Sequence, residues 1–190
     1  MGTRHIIMVI VDGKTKVSQY GQWDGYLEGQ GATILDFIED IYLANQIDKF
    51  KDKVRLCTSL TDQVRIDNIN NTPDWPRVYP HLSRDAGGAI LDMIFKSNGL
   101  ELWLDNNFAY DSLMCEFGYV IDLDNEVVEV YKGFNRDPLQ EDERFYKQDF
   151  EPSDAIPTKY YPIKLAFKIP FSEASLGFTK EHEKACGYED

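Results

Sequence analysis

The sequence is poor in the residues that most often take part in chemistry, with three histidines and three cysteines among 190 residues. Cys57, Cys115 and Cys186 form an odd set without a CxxC spacing, which argues against a disulfide framework and against a zinc site. We therefore expect a reducing compartment, no metal and no cofactor.

Positive charge is also scarce. Twenty Lys and Arg residues stand against 33 Asp and Glu residues, giving a formal net charge of −13. Non-specific nucleic-acid binding requires a basic face that replaces counterions. We therefore predict that the protein does not bind DNA or RNA directly. The same balance argues against docking on an anionic membrane surface.

Long apolar segments are lacking as well. The run Ile6–Val11 is far shorter than the roughly 20 residues of a membrane-spanning helix, and the N-terminal region lacks the apolar core of a signal peptide. The Met-Gly start does not continue into a myristoylation motif, because Ile6 stands where Ser or Thr is needed. We expect a soluble, cytoplasmic protein without a membrane partner.

Core-forming residues, by contrast, are sufficient for one domain, since 43% of the residues are hydrophobic and 13% aromatic. Apolar spacing and turn residues predict an α+β fold, an antiparallel sheet built from hairpins with two main helices packed on it. The predicted strands are His5–Val11, Lys14–Tyr20, Phe117–Leu123, Val127–Tyr131 and Tyr160–Phe171, and the predicted helices are Ala32–Asn45 and a Ser83-capped helix through Lys96.

Residues 1–178 are expected to form this single domain, and residues 179–190 a polar C-terminal tail. Within the domain, Asp67–Pro80 is predicted to be a loop rich in Asn and Pro. Residues 137–154 contain seven acids and two bases and are predicted to be a solvated acidic loop.

The segment QYGQWDGYLEGQG at residues 19–31 is the most unusual part of the chain. It contains four glycines, three aromatic residues and three glutamines. Glycine lets other groups approach the backbone closely, and aromatic faces alternating with amides suit a pocket for a small, flat, polar ligand. A glycine-rich connection whose aromatics pack on the core would have the same composition, so both interpretations stay open.

In the ligand-binding interpretation, the amides donate and accept hydrogen bonds, the rings stack, and the Asp24 carboxylate accepts from a hydroxyl or a guanidinium. The segment has no Lys or Arg, so an anionic group would be held by backbone amides or by an arginine elsewhere in the chain. The predicted ligand-binding residues are Arg4, Gln19, Tyr20, Gln22, Trp23, Asp24, Tyr26, Gln30 and Arg84.

Two alternatives belong to other classes of function. In the first, the protein is a hydrolase or transferase of a polar small molecule, with acid–base chemistry from Asp24, His5 or Glu116. No catalytic motif supports this, and Cys115 before an apolar strand is typical of a small core residue, so we favour binding over turnover. In the second, an acidic protein occupies the basic surface of a protein partner through residues 137–154.

Four stretches together resemble a family of small proteins found in bacteria, phages and fungi. They are GTRH at residues 2–5, the segment at 19–31, SRDAG at 83–87, and residues 115–134, so the resemblance covers about the first 135 residues. The family has no established activity. For a phage-borne member, the resemblance implies that the protein binds a nucleotide-like immune signal without converting it. Such a protein would act as an anti-defence factor.

A hairpin followed by a glycine-rich loop is also similar to N-terminal nucleophile hydrolases and glutamine amidotransferases. Those enzymes need Cys, Ser or Thr at the mature N-terminus, whereas removal of Met1 here would expose Gly2 and leave Thr3 internal. The similarity therefore implies a fold and no hydrolase activity.

Overall fold

The computed structural model describes residues 2–152 and 159–188. Its larger sheet has five strands in the order β2–β1–β5–β6–β7, in which β1 and β5 are parallel and the other neighbours are antiparallel. The strands of this sheet are β1 (His5–Val11), β2 (Lys14–Gly21), β5 (Phe117–Asp122), β6 (Val127–Lys132) and β7 (Lys164–Pro170). The α+β class with a mostly antiparallel sheet is thereby confirmed.

The remaining elements lie mainly in the long connection between β2 and β5. The helices are α1 (Ala32–Leu43), α2 (Ile47–Arg55), α3 (Asp62–Asn71), α4 (Trp75–Val78), α5 (Ala89–Lys96) and α6 (Lys180–Ala185). Strands β3 (Thr58–Ser59) and β4 (Glu101–Leu102) form a second, two-stranded parallel sheet. Among the described residues, no helix is both long and apolar enough to cross a membrane.

Both predicted hairpins are present. Asp12 and Gly13 connect β1 to β2 with φ values of 54° and 67°, the left-handed conformations that a tight two-residue hairpin turn requires. Strands β5 and β6 pair with Phe117 opposite Lys132 and Asp122 opposite Val127.

Strand β1 is apolar at every position from Ile6 to Val11 because both faces of the sheet are covered. Ile7, Val9 and Val11 point into a core shared with α1, α2 and α5, and this core also receives Cys186 from just beyond α6. Ile6, Met8 and Ile10 point into a second core on the opposite face. That face is covered by the segment between β4 and β5 and by the long connection from β6 to β7, which contribute Ala109, Cys115, Leu139, Phe145 and Ile163.

Several predicted boundaries differ from the structure, and the largest differences lie outside the main strands. Helix α5 begins at Ala89 rather than after a Ser83 cap, because the Ser83 hydroxyl accepts from the Asp85 amide within a turn and Gly87 has a φ of 49°. The predicted loop Asp67–Pro80 overlaps α3 and contains α4; the Thr61 hydroxyl caps α3 by accepting from the Val64 amide.

The expected C-terminal tail contains α6. A reciprocal capping box between Thr179 and His182 begins this helix, and the His182 ring stacks on Phe167 with 4.3 Å between ring centroids. Residues 137–152 form turns without a helix or strand, and the remaining two residues of the predicted acidic loop lie outside the described residues.

Candidate functional site

The segment 19–31 runs along the edge of the sheet where β1 and β5 begin. It leaves the end of β2 at Gly21 and reaches α1 through a π-helical turn at Leu27–Gly31. The Tyr119 hydroxyl donates a 2.8 Å hydrogen bond to the Gly25 carbonyl, and the Gly25 amide donates to the Thr3 carbonyl. The segment is therefore fixed to the two central strands.

Side chains of the segment also bind the loop that precedes α5. The Gln19 amide donates to the Ser83 carbonyl at 3.0 Å, and the Gln30 carbonyl oxygen accepts from the Gly88 amide at 2.6 Å. Trp23 Nε1 donates to Asp85 Oδ1 at 2.7 Å. Much of the hydrogen-bonding capacity that the sequence assigns to a ligand is thus used to join two parts of the chain.

His5 lies beneath the segment and is fully buried. Within the described part of the chain neither ring nitrogen has a hydrogen-bond partner, and the ring packs against the backbone of Gly21 and Gly25. Burial lowers the pKa of His5 to about 4, against a smaller opposing effect from the Thr3 backbone. A neutral, enclosed imidazole has no access to a substrate in this conformation, which disfavours the proposed acid–base role of His5.

The buried imidazole predicts an acid-sensitive stability. The unfolded chain takes up a proton near pH 6.5 and the folded chain only near pH 4, so folding is disfavoured as the pH falls between these values. The loss reaches roughly 3 kcal/mol, at about 1.4 kcal/mol for each unit of pKa. Urea unfolding at several pH values should show this loss in the wild type relative to His5→Asn. Parallel pH profiles of the two proteins would contradict the prediction.

Other predicted residues remain at the surface around Trp23, whose side chain is 46% exposed. The Gln22 amide donates to the Arg84 carbonyl at 3.0 Å, and the Tyr20 hydroxyl donates to the Gln22 side chain at 2.5 Å. Burial raises the pKa of Tyr20, while the positive charges of Arg4 and Arg84 oppose that rise. Both arginines therefore lie close enough to act on the Tyr20 hydroxyl.

The two arginines differ in their partners. Arg4 Nε lies 3.4 Å from Glu116 Oε1, so Glu116 serves as an ion-pair partner and is not a free base. Arg84 is exposed, and its side chain has no ion pair within residues 2–152 and 159–188. The neighbouring Asp85 carboxylate accepts from Trp23 Nε1 and from the Ser83 hydroxyl.

Asp24 and Tyr26, the remaining predicted residues, are also exposed. Asp24 has a φ of 55°, and its carbonyl accepts from the Gln30 amide at 2.8 Å. This carbonyl lies directly against Gly29, where a Cβ atom would collide with it. The backbone of Asp24 therefore shapes the turn, while its carboxylate faces solvent.

A second constellation lies on the opposite face of the sheet and was missed by the sequence analysis. Glu129, whose side chain is 4% exposed, accepts from Arg144 Nε at 2.6 Å, from Lys168 Nζ at 2.8 Å and from the Tyr131 hydroxyl at 2.7 Å. Arg144 also donates to Asp122 Oδ2 at 3.0 Å. We call these five residues the Glu129 network.

The charge state of the network follows from its contacts. Burial by itself would raise the pKa of Glu129, but the hydrogen bonds from Arg144, Lys168 and Tyr131 outweigh it and lower this pKa to about 2. Burial and the Glu129 carboxylate raise the pKa of Tyr131, so its hydroxyl stays a donor. At neutral pH the centre of the network is an ionised carboxylate beside two cations.

A sequence signal for this network exists but is weak. Glu129 is the acid that interrupts the apolar strand Val127–Tyr131, and an acid inside a buried strand needs a partner. Its partner Arg144 comes from the acidic loop, where a single arginine among seven acids is unremarkable in the sequence. Only the fold places the two side chains together.

The network borders two cavities. The larger, of about 550 Å³, is lined by Glu129, Tyr131, Asp142, Glu143, Arg144, Leu165 and Lys168. The smaller, of about 270 Å³, is lined by Met8, Ile10, Thr15, Asn106, Tyr110, Arg144 and Phe145. Arg144 therefore lies between two spaces on the face opposite the helices.

No family model, curated protein or solved structure matches this chain. The resemblance to the small-protein family of bacteria, phages and fungi therefore stays a prediction, as does the similarity to N-terminal nucleophile hydrolases.

Proposed function

We propose that the protein binds a small, nucleotide-like ligand, with a flat ring and an anionic group, on one surface. This surface comprises Arg4, Tyr20, Gln22, Trp23 and Arg84, and we call it the Trp23–Arg84 surface. The observation behind the proposal is that Trp23 and Arg84, both exposed, belong to two segments joined by adjacent bonds: the Gln22 backbone amide donates to the Arg84 carbonyl, and Trp23 Nε1 donates to Asp85.

Trp23 is suited to stacking because its orientation is fixed while part of its ring stays open. The bond from Nε1 to Asp85 holds the indole, and Gly2 packs against the ring so closely that a Cβ atom there would collide with it. The exposed remainder of the ring is a hydrophobic surface held in place before any ligand arrives. A flat heterocycle can stack there without an ordering cost for the tryptophan.

Charge supports an anionic group next to that ring. In a protein with a net charge of −13, two guanidinium groups act on the same tyrosine hydroxyl. Arg84 keeps its planar set of donors available for a phosphate or carboxylate. Asp24 adds an exposed acceptor on the same segment, of the kind that binds a sugar hydroxyl.

Trp103 is a tryptophan of the same chain whose indole N–H and ring face are both in contact with other side chains. Its Nε1 donates to Asp62 Oδ1 at 2.6 Å, and the Arg65 guanidinium lies over its ring at 4.0 Å from the ring centroid. At Trp23 the carboxylate partner is present, but no such cation covers the ring among the described residues. The difference favours Trp23 as the tryptophan that is open to a ligand.

Calorimetric titration with 5′-AMP, 5′-GMP, 5′-UMP and a cyclic dinucleotide tests the proposal. We expect at least one to bind, with roughly tenfold weaker affinity in Trp23→Ala because stacking on an aromatic ring contributes about 1–3 kcal/mol per base. Arg84→Gln should weaken binding by a similar factor and reduce its dependence on salt. The bound nucleotide should be recovered unchanged, as expected for binding without turnover.

Two variants provide matched controls. Arg77→Gln removes one exposed arginine charge outside the Trp23–Arg84 surface, and Trp103→Phe alters the tryptophan whose N–H and ring face are already in contact with other side chains. Both should bind as the wild type does. The proposal fails if none of the four nucleotides binds, or if Trp23→Ala and Arg84→Gln bind as tightly as these controls.

A further inference from the structure

We propose that the 550 Å³ cavity bordered by the Glu129 network is a second ligand site, and that it takes a neutral, polyhydroxylated small molecule such as a sugar. The proposal is independent of the Trp23–Arg84 surface. It rests on the hydrogen-bonding capacity that the lining residues leave unused, on their charge balance and on the size of the cavity.

The lining residues retain both donors and acceptors. Arg144 has five N–H donors, of which contacts with the described residues use Nε and one on Nη2, so within that part of the chain Nη1 remains available. Lys168 uses one of its three donors on Glu129 Oε1. That oxygen accepts one hydrogen bond, whereas Oε2 already accepts from both Tyr131 and Arg144.

Alternating donors and acceptors are what a hydroxyl group needs, because each hydroxyl donates one hydrogen bond and accepts others. Asp142, which is exposed, adds a second acceptor at the rim of the cavity. A ligand with several adjacent hydroxyls can therefore donate to Glu129 or Asp142 and accept from Arg144 or Lys168 at the same time.

The charge balance disfavours an anionic ligand. Four carboxylates, those of Asp122, Glu129, Asp142 and Glu143, surround two cations, which repels an anion such as a phosphate. The innermost carboxylate, that of Glu129, is already paired with Arg144 and Lys168, so a ligand does not need a cationic group to bind beside it. A neutral polar ligand avoids the repulsion that an anion would meet.

The shape of the cavity is also suitable. Its volume falls in the range of about 300–1,000 Å³ that is typical of small-molecule sites. Leu165 and Tyr131 supply apolar surface for the C–H groups of a sugar ring, and the Tyr131 ring is held by an edge contact with Phe145 at 4.9 Å between centroids. The polar groups are held equally firmly, because three donors fix Glu129 on its strand.

Saturation-transfer NMR of the full chain with D-glucose, D-galactose, D-mannose, N-acetyl-D-glucosamine and myo-inositol tests the proposal. We expect transfer to at least one of these compounds at millimolar concentration. Lys168→Gln removes the charged ammonium donor and shortens the side chain, but it leaves Glu129 bonded to Arg144 and Tyr131, so it should fold. It should bind the same compound about tenfold more weakly.

Two controls separate this site from other effects. Lys164→Gln removes an exposed lysine from the same strand without touching the cavity lining, and should bind as the wild type does. Trp23→Ala should also bind the sugar normally, so that failure of the nucleotide proposal leaves this one standing. Absence of transfer to all five compounds, or equal binding by Lys168→Gln and Lys164→Gln, overturns the proposal.

Discussion

Gly21→Ala is expected to lower the free energy of unfolding by about 3 kcal/mol or more, because it places a methyl group inside a filled space. A Cβ atom at residue 21 would lie within 3.0 Å of three atoms of the His5 ring. The ring cannot retreat, since it is fully buried and Gly25 packs against its other atoms. Thermal unfolding of the variant should shift down by roughly 10 °C for a chain of this size.

The steric cause can be separated from the loss of a glycine. Gly21→Ala combined with His5→Ser should recover much of the loss, since the smaller side chain makes room for the methyl group. Gly13→Ala is the comparison for a turn glycine: it has open space around it but a φ of 67°, so it should cost only about 1 kcal/mol. A Gly21→Ala protein as stable as the wild type, or a double variant no better than the single one, would contradict the packing described here.

Arg144→Met is expected to destabilise the fold by up to about 3 kcal/mol, the lower end of the range for removing one partner of a buried ion pair, because the Arg144 side chain is itself 30% exposed. Glu129 and Asp122 both lose their shared cation, and the side chains of both are only 4% exposed. The residues around Leu139 and Phe145 would also lose the bond that holds their segment over the sheet. Urea unfolding monitored by circular dichroism measures the loss.

Arg55→Met provides the comparison. Arg55 also bridges two carboxylates, those of Asp12 and Asp52, each at 2.8 Å, but all three side chains are largely exposed. Exposed ion pairs contribute about 0–1 kcal/mol, so this variant should lose little. Equal losses in Arg144→Met and Arg55→Met would show that burial of the Glu129 network contributes nothing.

The pH dependence of the Arg144→Met effect has a defined sign. The folded-state pKa of Glu129 is lowered to about 2 from an ordinary value of 4.5. The stabilisation is therefore present in full above about pH 4.5 and is lost as the pH falls through about 2. The stability of the wild type and of the variant should converge over that range.

The hairpins show which parts of the fold the sequence specifies locally. Asp12-Gly13 after an apolar run selects a tight turn, and the uninterrupted apolar run Ile6–Val11 in β1 predicts burial on both faces. Both patterns involve neighbouring residues, so they can be interpreted without knowledge of the rest of the chain. They were enough for the α+β class and for the pairing of β1 with β2 and β5 with β6.

Helix boundaries depended on competition between alternative hydrogen-bond partners, and the sequence does not show which partner is bound. Ser83 is a suitable helix cap, yet its hydroxyl bonds within a turn, and the Gly88 amide next to the start of α5 is occupied by Gln30 from 58 residues earlier. The same long-range bonds decide how the 19–31 segment is used. Its composition singled it out, but only the structure shows Gln19 and Gln30 bound to the chain itself and Trp23 still exposed.

The sequence by itself determined the fold class, the hairpins and a segment rich in glycine and aromatic residues, because periodicity, turn chemistry and composition act over a few neighbouring residues. Tertiary structure decided the burial and the contacts of the candidate functional side chains. It buried His5 against two glycines, joined the segment of Trp23 to the segment of Arg84, and joined Glu129 to Arg144. Each of these depends on atoms far apart in the chain, and their distances are fixed only when the sheet and its two covering layers have formed.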